Sequence, residues 1–153
     1  MSYSAREQSA QDGRPVYLYK FVQGVQQWLY TNAPMAIVFA GESYAPSSVG
    51  HSEVKQSNEL AKDSISLTFP LDDPFASQFL GYAPDLVTSV TLLRGHIGDG
   101  EFVTYWKGRV ASSKATGAQV RLECESIFTS LRRPGLRARY QRTCRHALYG
   151  RGC

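Results

Sequence analysis

Apolar and polar residues alternate along much of the chain, which predicts β-strands rather than helices. In the run DSISLTFPL, apolar side chains occupy every second position and hydroxyl side chains the positions between: Ile65, Leu67 and Phe69 against Ser64, Ser66 and Thr68. This period of two is typical of a half-buried strand. We expect its apolar face to point inward and the strand to end at Pro70.

Two strand patterns precede this run. RPVYLYKFVQG is rich in β-branched and aromatic residues and closes at Gly24, and VQQWLYTNAP follows it directly. Together they predict the first two strands, and a hairpin is the arrangement that their close spacing suggests. The next stretch, MAIVFAGESYAPSSV, predicts a buried apolar strand, a glycine turn and a short edge strand stopped at Pro46.

The run DDPFASQFLG has the character of a helix. Asp73 stands at the capping position, Pro74 at the first helical position and Gly81 at the stop. One face would carry the apolar side chains of Phe75, Phe79 and Leu80. We therefore interpret the pair Asp72 and Asp73 as the start of the main helix of the body rather than as catalytic carboxylates.

Three further runs predict a meander. DLVTSVTLLRG and EFVTYWKGRVASS flank HIGDG, whose Asp99-Gly100 pair is a strong hairpin signal, and AQVRLECESIF returns through the turn KATG. In the third strand Cys124 shares the inward face with Val120 and Leu122, so we interpret it as a small buried hydrophobe rather than a ligand. The fold class is therefore mainly β, a barrel or compact sandwich with one or two short helices.

The final segment, SIFTSLRRPGLRARYQRTCRHALYGRGC, departs from this pattern. After Pro134-Gly135, four-residue spacing predicts a short helix before Gly150, on Leu136, Tyr140, Cys144 and Leu148. We expect three parts: a flexible N-terminal segment (1–14), a β-rich domain (15–131) and an Arg-rich, cysteine-containing C-terminal segment (132–153).

Composition fits one ordinary globular domain with a tail. The chain has 153 residues, 42% hydrophobic and 20% charged, and its longest apolar run, APMAIVFA, is only eight residues long. We expect neither a signal peptide nor a membrane span. Three cysteines without a secretory signal predict free or metal-bound thiols in a reducing compartment.

The formal charge of +4 is unevenly distributed. Residues 1–125 hold all 13 acids and 10 basic residues, a net charge of −3, whereas residues 126–153 hold seven arginines and no acid, a net charge of +7. The C-terminal segment is thus a candidate for phosphate binding, although aromatic residues for base stacking are sparse in it. A protein-docking surface is the other interpretation, because arginine is favoured at buried polar interfaces. The arginines concerned are Arg137, Arg139, Arg142 and Arg145.

The candidate chemistry lies in the same segment. No hydrolase, phosphate-loop or zinc-protease motif is present, and we expect no enzymatic activity. The enzymatic hypothesis that we keep is a small redox enzyme that uses the cysteine pair. Cys144 and Cys153 lie among arginines, which favour the thiolate that ligates metal. Their spacing is wider than in common zinc or ferredoxin motifs, so spacing alone is a weak signal.

The order of these features resembles a known family. VYLYKFVQGVQQWLYT, SYAPSSVGHSEVKQS, SISLTFPLDDPFASQF, YWKGRV, VRLECES and LRARYQRTCRHALYGRGC occur in the order found in the cysteine-containing tail-tip or baseplate hub proteins of long-tailed phages and gene transfer agents. The last is the most specific and falls on Tyr140, Cys144, Leu148, Tyr149, Gly150 and Cys153.

This resemblance implies a structural virion protein, made in the host cytoplasm. It implies a β-barrel hub domain assembled as a homotrimeric ring at the distal end of the tail tube. Its partners would be the tube or distal tail protein and other tail-tip or hub proteins. It also implies an iron-sulfur cluster, [4Fe-4S], with Cys144 and Cys153 as the first two ligands.

The other two cysteine ligands of that family lie farther downstream than Cys153. Four alternatives follow: the chain is a fragment, another polypeptide completes the site, Cys124 contributes, or no cluster is present. We expect one of the first two. The alternative function is a nucleic-acid-binding module that acts through the basic segment.

Overall fold

A computed structural model describes residues 7–9, 13–54, 63–81, 84–98 and 100–132, with only the backbone at 130–132. The strands are β1 (Pro15–Gln23), β2 (Gln26–Thr31), β3 (Ile37–Phe39), β4 (Glu42–Pro46), β5 (Gly50–His51), β6 (Ser64–Pro70), β7 (Thr88–His96), β8 (Phe102–Thr116) and β9 (Gln119–Ser126). They form one sheet in the order β3-β4-β2-β1-β7-β8-β9-β6-β5. The predicted mainly β class is confirmed.

The sheet curls into a barrel-like shape. Three strands separate β1 from β6 in the sheet order, yet the rings of Phe21 and Phe69 meet at a centroid distance of 5.7 Å. Such a contact requires the sheet to bend around its inner face. The main core therefore gathers side chains from β1, β6, β7, β8 and β9 around Phe75.

A second, smaller core covers part of the outer face. In β1 the odd-numbered Tyr19 and Phe21 enter the main core, whereas Val16 and Leu18 pack on the other side against Ala33. Tyr44 of β4 joins this cluster. Both faces of the first half of β1 are thus buried, which suits its run of alternating large side chains.

The predicted hairpin and meander are confirmed. β1 pairs antiparallel with β2, and β7, β8 and β9 pair antiparallel in sequence order. In β6, Ile65, Leu67 and Phe69 point inward as predicted. Ser66 is buried as well, and its hydroxyl accepts a hydrogen bond of 2.8 Å from Arg121 Nη2.

The helix predicted over DDPFASQFLG is wrong in length. The segment forms only a four-residue 3-10 turn, Ala76–Phe79, after which Leu80 is extended and Gly81 has φ +92°. Phe75 and Phe79 enter the core, but Leu80 is exposed. A run this short gains little from helix propensity, so the packing of its two rings decides its conformation.

The predicted roles of β3 and β4 are also wrong. β3 is the edge strand, not a buried one, and Val38 is 73% exposed. β4 lies between β3 and β2 and includes Pro46, which pairs with Thr31 in a short parallel ladder. Apolar composition alone does not say which neighbour a strand will find.

The curled sheet has two ends. β1 runs from one to the other, so the β1–β2 turn, the 71–87 connection and the β8–β9 turn share one end, called here the Val25 end. The opposite end, called the Glu7 end, carries residues 32–36 and the β7–β8 turn. β9 runs toward the Glu7 end, and the 3-10 turn Ile127–Arg132 follows it.

Some predictions fall on residues outside the described ranges. They are the helix on Leu136, Tyr140, Cys144 and Leu148, and the contribution of Asp99 to the β7–β8 turn. The division into parts at residues 14 and 131 also stays a prediction. Within the described ranges, no helix has the length and apolarity that crossing a membrane would need.

Candidate functional site at the two ends of the sheet

Charged and aromatic side chains meet at the Glu7 end. Glu7 lies 2.9 Å from Arg94 Nη2 through one carboxylate oxygen and 3.2 Å from His96 Nε2 through the other. Arg94 also lies over the rings of Tyr17 and Tyr105, 5.9 and 5.5 Å from their centroids. Stacking and ion pairing together hold this guanidinium in place.

His51 extends the cluster to the last strand of the sheet. Its ring contacts Tyr17 edge-on at 4.3 Å, and Nδ1 is hydrogen-bonded to the Tyr19 hydroxyl at 2.7 Å. Burial, and then the charge of Arg94, lower the pKa of His51. Burial raises the pKa of Tyr17 and of Tyr19, so both phenols stay protonated at neutral pH.

This cluster joins three separate parts of the chain. It links Glu7, which precedes the first strand, the β1–β7 pair and β5. Sequence analysis did not predict that His51 and His96 would lie in one cluster. The alternation of Leu92, Arg94 and His96 along β7 was the available signal, since it sets two polar residues on the core-facing side.

The Asp72–Asp73 pair has the structural role that the sequence predicts. One carboxylate oxygen of Asp73 accepts hydrogen bonds from the backbone N–H groups of Phe75 and Ala76, at 2.9 and 3.1 Å. The Tyr30 hydroxyl donates to the same oxygen at 3.3 Å. Asp72 is exposed. The Asp73 carboxylate thus holds the backbone that leads into the 3-10 turn, whose N-cap position is Phe75.

Cys124 lies in the main core, as predicted, and is 1% exposed. Burial, together with the charge of Glu123, raises the pKa of its thiol to about 12. This environment favours the protonated thiol and agrees with the predicted role of Cys124 as a small buried hydrophobe.

The other predicted site residues lie outside the described ranges: Cys144, Cys153, Arg137, Arg139, Arg142 and Arg145. Their roles stay predictions. Among the residues that the structure does describe, no group of three or more His, Cys, Asp or Glu side chains is placed to hold a metal ion.

The Val25 end carries exposed apolar side chains. Val25 stands at the tip of the β1–β2 turn and is fully exposed, while Leu86 and Val87 are 59% and 63% exposed. The adjoining surface is lined by Phe79, Pro84, Val110 and small residues of β8. Sequence analysis did not predict this surface, because its parts come from turns more than 60 positions apart.

A family model described as the baseplate hub protein, N-terminal attachment domain, matches residues 18–153. The chain belongs to this family. It is therefore a structural component of the baseplate in a phage-like virion, as the resemblance implied. A relative from Xylella fastidiosa (strain 9a5c), described as an uncharacterized protein, is 32% identical over 170 residues.

A solved structure shares the fold. A chain in the virion of a native gene transfer agent particle superposes with a TM-score of 0.74 at 16% identity, over 90% of the baseplate hub chain described here. The hub chain spans 48% of the chain in that structure. The match to the Xylella relative covers the whole of the hub chain but only 35% of the relative. Both relatives are thus much longer than the domain.

Proposed function

We propose that this attachment domain assembles as a homotrimeric ring at the distal end of a tail tube. Its partners would be the tube or distal tail protein and other hub proteins. The match to the attachment-domain family over residues 18–153 carries the proposal, and the fold shared with a gene transfer agent chain supports it. No catalytic role is proposed.

The ring is tested on the particle and on the isolated protein. Light scattering of the purified protein should give three times the chain mass, and electron microscopy of the intact particle should show threefold density at the tail's end. A single copy, or a ring of another order, in the intact particle would contradict the homotrimer. Absence of the protein from purified particles would contradict the attachment role.

We further propose that the C-terminal segment holds an iron-sulfur cluster, [4Fe-4S], with Cys144 and Cys153 as two of its ligands. Seven arginines and no acid in residues 126–153 favour thiolates and suit a cluster of negative overall charge. Such a cluster takes four ligands, so the remaining two would come from outside this segment. Bound there, the cluster would stabilise the folded conformation of a segment that has little apolar area to bury.

Iron and sulfide analysis with visible absorption, after anaerobic purification of the intact protein, tests the cluster. Cys144→Ala and Cys153→Ala should each remove most of the iron and the absorption. Cys124→Ala is the matched control and should retain both, because this thiol is buried in the core. Colourless, iron-free protein in intact particles would overturn the proposal.

Arg137, Arg139, Arg142 and Arg145 are proposed to form a docking surface for neighbouring tail proteins. Their planar guanidinium groups suit buried polar contacts, and the body of the chain carries the opposite net charge. Nucleic-acid binding is the competing outcome. Affinity for DNA that falls steeply with salt, and vanishes when the four arginines become glutamine, would favour it over docking.

A further inference from the structure

Three apolar side chains are exposed together at the Val25 end. Val25 is fully exposed, and Leu86 and Val87 expose more than half of their surface, in or beside turns where polar residues are usual. A single exposed valine needs no explanation, whereas neighbouring apolar side chains on one surface mark an interaction site. These side chains therefore indicate a surface that another segment or molecule covers.

The two turns that carry these side chains contact each other. Gln23 is buried, and its side-chain Nε2 donates to the Leu86 carbonyl at 3.3 Å. Gly24 has φ +60° and lies so close to Leu86 that a Cβ at this position would be 3.1 Å from Leu86 Cδ1. Because these contacts hold the apolar side chains in place, the surface is ready to bind without rearrangement.

The last strand of the sheet ends close to this surface. Ser126 at the end of β9 pairs with Gly108 of β8, and Gly108 pairs with Val90 of β7. Neighbouring strands are about 4.8 Å apart, so Ser126 lies about 10 Å from Val90. Leu86 precedes Val90 by four residues, about 13 Å of extended chain. Leu86 is therefore within about 16 Å of the point where the chain leaves the sheet.

The chain that follows β9 is long enough to cover this distance. The 3-10 turn Ile127–Arg132 packs on β8 and, with six residues, rises about 12 Å. Four more residues, up to Leu136, add up to about 13 Å when extended. Leu136 can thus be up to about 25 Å from Ser126, so the Val25 end is within its reach.

The sequence of this following segment is complementary to the surface. Leu136 and Tyr140 are four residues apart, which places them on one side of the helix that the sequence predicts there. At about 100° per residue, Arg137 borders this apolar side and Arg142 lies on the opposite side. The Val25 end offers the matching groups, an apolar surface with the exposed acid Asp85 at its rim. Residues 133–153 carry no acid that would repel it.

We propose that residues 133–142 fold back onto the Val25 end of the same chain, with their apolar side on its exposed apolar side chains and Arg137 opposite Asp85. A segment tethered this closely has an effective concentration of about 1 mM, so even a weak contact forms within one chain. The docked segment leaves Arg142 and Arg145 facing outward. This contact rests on neither the ring nor the cluster proposed above.

Limited proteolysis with trypsin measures whether the segment is docked, because cleavage after Arg139 requires that the segment leave the surface. In the intact protein, Val25→Asp and Leu86→Asp should each raise this cleavage rate by about tenfold or more, as for a central contact residue. Met35→Asp is the matched control and should leave the rate unchanged, because Met35 is 59% exposed like Leu86 but lies at the Glu7 end.

A charge exchange tests the predicted ion pair. Asp85→Arg should raise the rate of cleavage after Arg139 by a smaller factor than Leu86→Asp does. Addition of Arg137→Asp to the same protein should restore the protection, because the two charges are again opposite. A double variant that is cleaved as fast as Asp85→Arg alone would contradict the pairing of Arg137 with Asp85.

Photo-crosslinking identifies the occupant of the surface. A benzophenone side chain in place of Val25 should cross-link to residues 136–140 of the same chain, with a yield that does not depend on protein concentration. Cross-links between two chains that increase with concentration would show that a second copy occupies the surface and would overturn the proposal. Absence of any cross-link to residues 133–142 would overturn it as well, as would cleavage rates that are equal in all three aspartate variants.

The isolated protein is sufficient for these measurements, so failure of the ring proposal leaves them interpretable. Cys144→Ala separates the docking from the cluster, because it removes a proposed cluster ligand and leaves residues 133–142 unchanged. Protection of the bond after Arg139 should persist in this variant. Loss of protection would show that the cluster, and not the Val25 end, holds the segment.

Discussion

The Tyr19 hydroxyl and the His51 Nδ1 lie 2.7 Å apart and join the middle of β1 to the last strand of the sheet. β5 has only two residues, and its ladder pairs it with β6 alone. The Tyr19–His51 hydrogen bond is thus a second attachment for this edge, reached across the inside of the curled sheet. It also holds His51 beside Tyr17, in a position where the charge of Arg94 lowers the pKa of His51.

Folding stability should fall as the pH drops below about 6.5, in part because of His51. Burial and Arg94 lower the pKa of His51 in the folded protein, whereas the unfolded chain takes up a proton near the ordinary value of about 6.5. The unfolded state therefore binds more protons as the pH falls, and above this range the contribution is constant. Urea titrations at about pH 7.5 and about pH 5.5 measure the difference.

His51→Gln should make this difference smaller, because the titrating group is gone. Tyr19→Phe serves as the control: it removes the hydrogen bond and should lower stability by about 1 kcal/mol at both pH values. An unchanged pH dependence in His51→Gln would show that another group is responsible.

Gly108→Ala should destabilise the protein by about 1–3 kcal/mol or prevent folding. A Cβ at this position would lie 2.1 Å from the Glu125 carbonyl oxygen and 2.1 Å from the Trp106 ring, and neither the backbone nor the buried indole has room to move. Gly50→Ala is the matched control in another strand. A Cβ added at Gly50 would have no heavy atom of another residue within 4 Å, so stability should change by less than about 0.5 kcal/mol.

Asp73→Ala should lower the free energy of unfolding by about 1–2 kcal/mol. The substitution leaves two backbone N–H groups and the Tyr30 hydroxyl without their shared acceptor. Asp72→Ala, one position earlier and exposed, should change stability by less than about 0.5 kcal/mol. Equal effects in chemical denaturation would contradict the role of Asp73 in holding this backbone.

The Cys124 thiol should resist alkylation in the folded protein at about pH 8, because burial raises its pKa to about 12 and excludes the reagent. Mass spectrometry after treatment with iodoacetamide would locate the labelled cysteines, and labelling of Cys124 should appear only after denaturation. Labelling at the rate of a free thiol in the native protein would show that Cys124 is accessible after all.

Local patterns in the sequence predicted the elements that depend on neighbouring residues. The alternation in DSISLTFPL gave the inward face of β6, and the same period placed Cys124 in the core. The turn residues predicted the hairpin and the meander, and Asp73 predicted where a helical segment begins, although not that it would be only a 3-10 turn. These features succeed because the face of a strand and the geometry of a turn are set within a few residues.

Tertiary structure alone decided which strands became neighbours. MAIVFAGESYAPSSV predicts a buried strand followed by an edge strand, yet β3 itself lies at the edge, with Ile37 and Phe39 packed on the second core and Val38 exposed. The packing of Phe75 and Phe79 in the core likewise decided how long the helical segment after Asp73 is.

By itself, then, the sequence determined a β-rich chain, the faces of its strands, its charge asymmetry and its family. The tertiary structure decided the cluster at the Glu7 end and the apolar surface at the Val25 end. Tyr19 and His51 are 32 positions apart, and Gln23 and Leu86 are 63 apart. Contacts over such separations arise only when the whole sheet curls and closes on its core, and no local pattern encodes them.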